Sequence, residues 1–219
     1  LASFGFDQYP VYQKPVLTII GTGNELVKPG GELKEGQIFD SNSYALSAAV
    51  QSLGLPEPRT ATVEDTIEST EKCLKEALQS SDVIVTAGGV SVGDKDLVKK
   101  VLEENLAVET VFWKARVKPG KPIYFGKVAT ENKTKYVFGL PGNPVSALVI
   151  FHLFVKPALA LLQGVKEVSH EEWLAHIGSK VKKKPGRLDF LRAKLAPNGN
   201  ASWSATPAKG QGSHMLSGL

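Results

Sequence analysis

Apolar and polar positions follow two rhythms that take turns along the first 164 residues. Val16–Ile20 ("VLTII") is a nearly continuous apolar run closed by "GTG", the pattern of a buried strand followed by a turn. Leu46, Val50 and Leu53 then recur at helical spacing behind the N-cap candidates Asp40, Ser41 and Asn42, with Gly54 as a stop. "TIESTEKCLKEALQSS" predicts a second amphipathic helix with Ile67, Leu74 and Leu78 on one face. "DVIVTAGG" reads as a central strand, and "DLVKKVLEEN" as a helix carrying Leu97, Val98, Val101 and Leu102. "AVETVFWKARV", "PIYFGKV" and "KYVFGLPG" read as strands. "PVSALVIFHLFVKPALALLQG" predicts a long helix, with Pro144 in its first turn and Gly164 at its end. His152, Lys156 and Pro157 interrupt its apolar run, so it reads as a buried helix rather than a membrane span, with His152 as a packed core residue.

Strands alternating with helices predict an α/β fold with a doubly wound, mostly parallel sheet, although Phe112–Leu140 looks like consecutive strands. After Gly164, short alternating runs are separated by "KKPG", "PNGN" and "AKGQG", which predicts a small all-β module. The expected division is residues 15–168 for the α/β domain and 169–219 for the β module, with 1–14 leading in. The opening "LASFGFDQYP" has no initiator methionine, so the chain is expected to be a piece of a longer protein.

Composition narrows the function little. Hydrophobic residues at 42% and charged residues at 22% are ordinary for a globular chain and exclude a disordered one. A net charge of +4 leans slightly towards anionic small molecules or nucleic acid, but "KVKKKPGR", the best basic patch, lacks interleaved aromatics and is expected to face solvent. One cysteine, Cys73, excludes an internal disulfide and a cysteine-rich zinc site, and fits a reducing, cytoplasmic setting. His170, His176 and His214 have no ligand spacing with it, and Ser91 has no neighbouring histidine to make it a nucleophile.

The candidate chemistry lies in four segments at predicted strand ends: "GTGNEL", "TAGGVSVGDKD", "KPGKP" and "GLPGNPVS". In open α/β sheets ligands bind at that edge. Glycines let the backbone come close to a ligand, and free amides at a following helix start suit anions. Each motif alone is a weak signal, since "GTGNEL" lacks a third glycine and no segment ends in the Gly-Lys-Ser/Thr of a P-loop. Glu25, Asp40, Asp94 and Asp96 stand at or just past strand ends, where carboxylates beside phosphate oxygens can hold Mg²⁺. Lys118 and Lys121 supply point charges for a phosphate or an oxyanion. Structural alternatives stay open: Asp40 as an N-cap with nearly equal weight, Asp94 and Asp96 as first-turn caps, and the two lysines as a solvated turn.

Taken together, "GTGNEL", "GQIFDSNS", "TAGGVSVGDKD", "KPGKPIYFGK", "GLPGNPVSA" and "GQGSHMLSGL" resemble, in order and over nearly the whole chain, the molybdopterin molybdenumtransferase family of MoeA and gephyrin E-domain type. The resemblance implies molybdate insertion into adenylated molybdopterin with release of AMP and a Mg²⁺ requirement. It also implies a molybdopterin-binding α/β core, an incomplete small β-barrel after it, two upstream domains outside this chain, and a homodimer that meets the adenylyltransferase of the same pathway. No membrane or nucleic-acid partner is expected.

Carried over by motif, Glu25, Asp65, Asp96, Lys118 and Lys121 are the implied catalytic residues, with Asp94, Asp96 and Glu25 near the metal. Thr22, Gly23, Asp40, Ser41 and Asn42 form the first part of the implied pterin site. Gly88, Gly89, Val90, Ser91 and Gly93 form the loop for its terminal phosphate, Pro119 and Gly120 the lysine turn, and Pro141, Gly142, Asn143, Pro144 and Ser146 the last loop. Asn24 departs from the common aspartate and removes one charge. Gly88 and Gly89 are expected to present backbone amides to phosphate. Gly89→Val is accordingly expected to abolish binding while leaving stability within about 1–2 kcal/mol. Two other readings share the core: a molybdopterin adenylyltransferase, whose glycine motif usually reads Gly-Gly-Thr-Gly where this chain has "GGVS", and a non-enzymatic scaffold of gephyrin type.

Overall fold

The "VLTII" run becomes β1 (Leu17–Thr22), all six residues of which are buried. A computed structural model describes residues 1–89, 97–168, 172–183, 185–199 and 202–213. Two short strands follow, β2 (Leu26–Val27) and β3 (Ile38–Phe39), paired in parallel. Helix α1 (Ser41–Gln51) starts where Asp40 caps it, and buries Ser43, Leu46 and Val50. Strand β4 (Arg59–Val63) leads to α2 (Ile67–Ser80), capped by the Thr66 hydroxyl accepting from the Ser69 amide. Its core-facing residues are Thr70, Leu74 and Ala77. Ile67, expected on that face, is exposed because it lies in the first turn, at the rim of the sheet.

Strand β5 (Val83–Ala87) is buried throughout, and α3 (Leu97–Lys100) continues into a π-helical turn at Val101–Asn105. The run predicted as one strand from Ala107 divides into β6 (Glu109–Trp113) and β7 (Val117–Lys118). Lys114 breaks it by taking φ +75. Strands β8 (Tyr124–Ala129) and β9 (Thr134–Leu140) form an antiparallel pair. The long helix runs as α4 (Pro144–Ile150), a π-helical turn at Phe151–Val155 and α5 (Lys156–Leu162). Pro157 has no N–H for the preceding turn, which the wider π geometry accommodates. By length and composition Pro144–Leu162 could cross a membrane. Its Val145, Ala147, Ile150, Phe151, Val155 and Leu159 are instead buried in the core, while His152, expected there, is exposed.

The main sheet has the order β4-β1-β5-β9-β8-β6. β4, β1, β5 and β9 are mutually parallel, and β8 is antiparallel to both of its neighbours. Side chains alternate between two cores, as a sheet covered on both faces requires. Leu17, Ile19, Val83 and Val85 pack with α1 and α4, while Ile20 and Ile84 pack with α2 and the turn after α3. Burying one such side chain stabilises the fold by roughly 1.5–3 kcal/mol.

In the C-terminal part, β10 (Ala175–Ile177), β12 (Ala193–Pro197) and β13 (Trp203–Pro207) form a three-stranded sheet ordered β10-β13-β12. Strand β11 (Leu188–Asp189) leaves that module and pairs with β7 of the core. The boundary expected at Ser169 lies outside the described residues.

Candidate active site

Because β1, β4, β5 and β9 run in parallel, the segments after them reach one edge of the sheet, where a cleft of about 720 Å³ opens. Thr22 and Glu25 from the first segment line it, with Asp65 after β4, Gly88 and Gly89 after β5, and Gly142, Asn143 and Pro144 after β9. The start of α1 adds Asp40, Ser41 and Asn42. Eleven residues singled out from the sequence therefore share one cavity. Gly23 lies just behind it, beneath the Glu25 carboxylate, and Pro141 is buried outside the lining.

Two of these residues, Asp40 and Asn42, and the neighbouring Asn24 hold the cleft together. Asp40 is buried, and its carboxylate accepts from the Ser43 amide at 3.0 Å and the Ser43 hydroxyl at 2.6 Å. It therefore caps α1 while facing the cavity. Asn42 donates from Nδ2 to the Gly142 carbonyl at 2.7 Å, tying the start of α1 to the loop before α4. Asn24 accepts the Asp65 amide at 3.0 Å, which gives the position a structural task that needs an acceptor oxygen and not a charge.

Gly88 and Gly89 take φ +96 and +64, a region where side chains are strained. A Cβ on Gly88 would lie 2.6 Å from the Thr22 carbonyl oxygen, and one on Gly89 2.6 Å from both the Thr22 hydroxyl and Val98. Two expectations change. The Gly88 amide donates to the Leu140 carbonyl at 3.1 Å and does not face a ligand in this conformation. A valine at Gly89 would press on the Thr22 and Val98 side chains and take a strained φ of +64, so it disturbs the fold as well as the site. Val90, Ser91, Gly93, Asp94 and Asp96 lie outside the described residues.

Two features involve residues that the sequence reading did not single out as site residues, although several lie inside the quoted motifs. Leu26, Ile38, Phe39 and Leu97 give the cleft an apolar wall. The apolar pair "IF" just before the Asp40 cap was the available signal, since half-exposed aromatics before a helix start commonly serve a planar ligand or a staple. Arg187, Asp189, Phe190, Gln211 and Ser213 come from the C-terminal module and line a second cleft of about 490 Å³. Lys118, Pro119, Gly120, Lys121 and Ser146 lie there and not in the first cavity. The first turn of α4 separates the two, with the Val145 amide donating to the Ser213 carbonyl at 3.1 Å.

The two clefts differ in charge. Among the described residues, the larger carries Glu25, Asp40 and Asp65 with no basic residue, and the smaller carries Lys118, Lys121 and Arg187 against Asp189. Among the described residues no three metal-ligating side chains converge. Glu25 and Asp65 are exposed carboxylates that can each offer an oxygen, which fits a Mg²⁺ ion bound through one or two carboxylates plus ligand phosphate and water.

Comparison with known proteins bears on both parts of the chain. Residues 18–161 match the family described as a probable molybdopterin binding domain, and residues 175–219 match the MoeA C-terminal region, domain IV. The molybdopterin molybdenumtransferase of Haemophilus influenzae is 38% identical over 218 residues, 99% of this chain and 52% of its own length. The Drosophila melanogaster molybdenum cofactor synthesis protein cinnamon is 42% identical over 154 residues, 70% of this chain and 25% of its own. The solved structure of a molybdopterin biosynthesis MoeA protein from Pyrococcus horikoshii superposes with a TM-score of 0.73 at 36% identity, covering 89% of this chain and 45% of that one. The chain thus spans about half the length of the molybdenumtransferase it matches from end to end.

Proposed function

The chain belongs to the molybdopterin-binding family in its MoeA form, and on that premise we propose that it carries the pterin-binding half of a molybdenum insertase. The single observation that carries the reading is the separation of charge: four strand-end segments converge on an acidic cleft, and the lysines stand in a basic one across the first turn of α4.

Adenylated molybdopterin occupies the larger cleft, its ring system against Ile38 and Phe39 and its phosphates towards the loop after Gly88. Glu25 and Asp65 would hold a Mg²⁺ ion together with those phosphates, and the ion would supply charge neutralisation there. Lys118 and Lys121 hold the molybdate dianion in the smaller cleft, where fixed cations stabilise an oxyanion without a covalent nucleophile. The two dithiolene thiols form two Mo–S bonds as one molybdate oxygen leaves with their protons as water, and a water opens the phosphoanhydride to give AMP and the pterin phosphate. Asn42 keeps the rims of the first cleft in register through its bond to Gly142. The match of residues 175–219 to the MoeA C-terminal region favours insertion over adenylyl transfer.

AMP release from adenylated molybdopterin, on adding molybdate and Mg²⁺ to the intact protein that contains this chain, tests the reading. Molybdate-dependent release that falls at least a hundredfold in Lys121→Gln is expected. Release that is independent of molybdate would sink it. Because the chain spans half of that relative, residues 1–219 alone are expected to bind the pterin but to insert metal poorly, since an open cleft leaves the charges screened by water. Equal rates for the two would place a complete site within residues 1–219.

A further inference from the structure

Beside the lysine cleft lies a third one, of about 350 Å³, lined by Lys118, Ser179, Lys180, Lys182, Lys183 and Pro207. It shares Lys118, Asp189, Leu191 and Gln211 with its neighbour, so the two form one continuous basic surface. Six cations stand along it: Lys118, Lys121, Lys180, Lys182, Lys183 and Arg187. None of the six is ion-paired with a described residue, and Asp189 is the one acid among the described residues of either lining.

Its floor is rigid. The Gln211 carboxamide donates to the Arg192 and Ala208 carbonyls, both at 2.9 Å, and accepts the Arg192 amide at 3.1 Å. The Phe190 amide donates to the Lys118 carbonyl at 2.7 Å, which locks the module's β11 to the core's β7. With the Gln211 side chain engaged, the lysine ammoniums dominate what the cleft offers a ligand, against the single Asp189 carboxylate. Clustered like charges without partners repel one another, and a dianion placed among them relieves that repulsion.

We propose that this outer cleft is an anion subsite for a tetrahedral dianion, either a free oxyanion or the phosphate of a nucleotide, separate from the inner site at Lys121. It rests on Lys180, Lys182 and Lys183 and so deepens the proposed function, which uses Lys118 and Lys121.

Calorimetric titration of the intact protein at low ionic strength tests it, with inorganic phosphate as the probe. In Lys121→Gln, phosphate is expected to keep its outer-site affinity within twofold. In K180Q/K182Q/K183Q that affinity is expected to fall at least tenfold, and the salt dependence of binding to flatten. All of these positions are solvent-facing, and circular dichroism will confirm that the variants fold. A second arm with AMP identifies the source: tighter binding than phosphate assigns the subsite to a nucleotide, equal or weaker binding to a free oxyanion. If the triple variant binds phosphate like the wild type, the outer subsite is overturned. If Lys121→Gln alone abolishes all binding, the outer subsite also fails while the inner reading stands. Loss in the triple variant with none in Lys121→Gln supports the outer subsite and counts against the inner one.

Discussion

The two ends of the central sheet treat polar groups in opposite ways. At the amino ends of the strands, the polar side chains of Asp82, Lys135, Thr18 and Ser81 find their partners within the chain. Asp82 accepts the Val16 amide at 2.8 Å and pairs with Lys133. Lys135, only 7% exposed, donates to the Leu78 and Gln79 carbonyls that close α2. Thr18 and Ser81 share a buried hydrogen bond of 2.6 Å. At the carboxyl ends, Thr22 Oγ1, Asn42 Oδ1 and Thr86 Oγ1 are buried with no partner among the described residues. Glu25 and Asp65 face open solvent there, with no salt bridge among the described residues. Both ends carry polar and charged side chains. The difference is that one end uses them for stability and the other leaves them open, which is what a ligand-binding edge requires.

The sharpest way to break this contrast is at the glycine pair. Gly88→Ala places a methyl group against the Thr22 carbonyl at φ +96, and is expected to lower stability by roughly 2–4 kcal/mol. Urea denaturation reads it as a fall in midpoint. An unchanged midpoint would mean that the loop yields, and that the carboxyl edge is not held by close backbone contact.

At the opposite end, Lys135→Met keeps the apolar stem but strips the ammonium from two carbonyls at the end of α2. A loss of about 1–3 kcal/mol is expected, the usual penalty for buried acceptors left unsatisfied. Pterin and phosphate binding should stay within a factor of two. A variant that lost binding with unchanged stability would couple the two edges and undo the division between them.

Much of this architecture was legible in the chain. The alternation of β-branched runs with helical spacing specified strands and helices, and parallel order then carries four glycine-containing or acidic segments to one edge. The division of lysines from acids was not legible. It depends on β7 pairing with β11, residues some seventy positions apart, and on the first turn of α4 standing between the clefts. His152 misled for a local reason. A π-helical turn lengthens the repeat, so a face assigned by 3.6-residue spacing shifts, and His152 reaches solvent. Ile67 failed because spacing does not show that the first turn of α2 overhangs the sheet. For Asn24 the motif suggested a lost ligand, while its actual partner, the Asp65 amide, lies 41 residues away.

A smaller effect separates charge from hydrogen bonding at the amino edge. Burial of Asp82 opposes ionisation, but hydrogen bonds from Lys133 and the Val16 amide outweigh it and hold the carboxyl below the ordinary aspartate range. A folded-state value lowered in this way contributes stability above the unfolded value of about 3.9, and that contribution is lost as pH falls through the folded value. Asp82→Asn keeps an acceptor for Val16 and removes the charge. It is expected to cost about 1 kcal/mol at pH 7. The gap to the wild type should close below pH 4, as thermal melts across pH 2–7 will show. A gap constant with pH would make Asp82 a hydrogen-bonding group only.

The smallest expected effect lies at Asn24, and it tests the contrast from the other side, because here a residue at the open edge does structural work. Its Oδ1 accepts the Asp65 amide, fixing the turn after β4 against the turn after β1. An aspartate offers the same oxygen in the same place. Asn24→Asp should therefore leave stability within about 0.5 kcal/mol. It should also leave Mg²⁺ affinity within threefold, since the added charge lies exposed beside Asp65 and is screened. Asn24→Ala removes the acceptor and should lower stability by about 1 kcal/mol, loosening Asp65 and weakening Mg²⁺-dependent pterin binding along with it. A tenfold gain in Mg²⁺ affinity from the aspartate would instead make this position a metal ligand that the asparagine has given up. The hydrogen bond to Asp65 would then be what remains of a carboxylate pair rather than a latch.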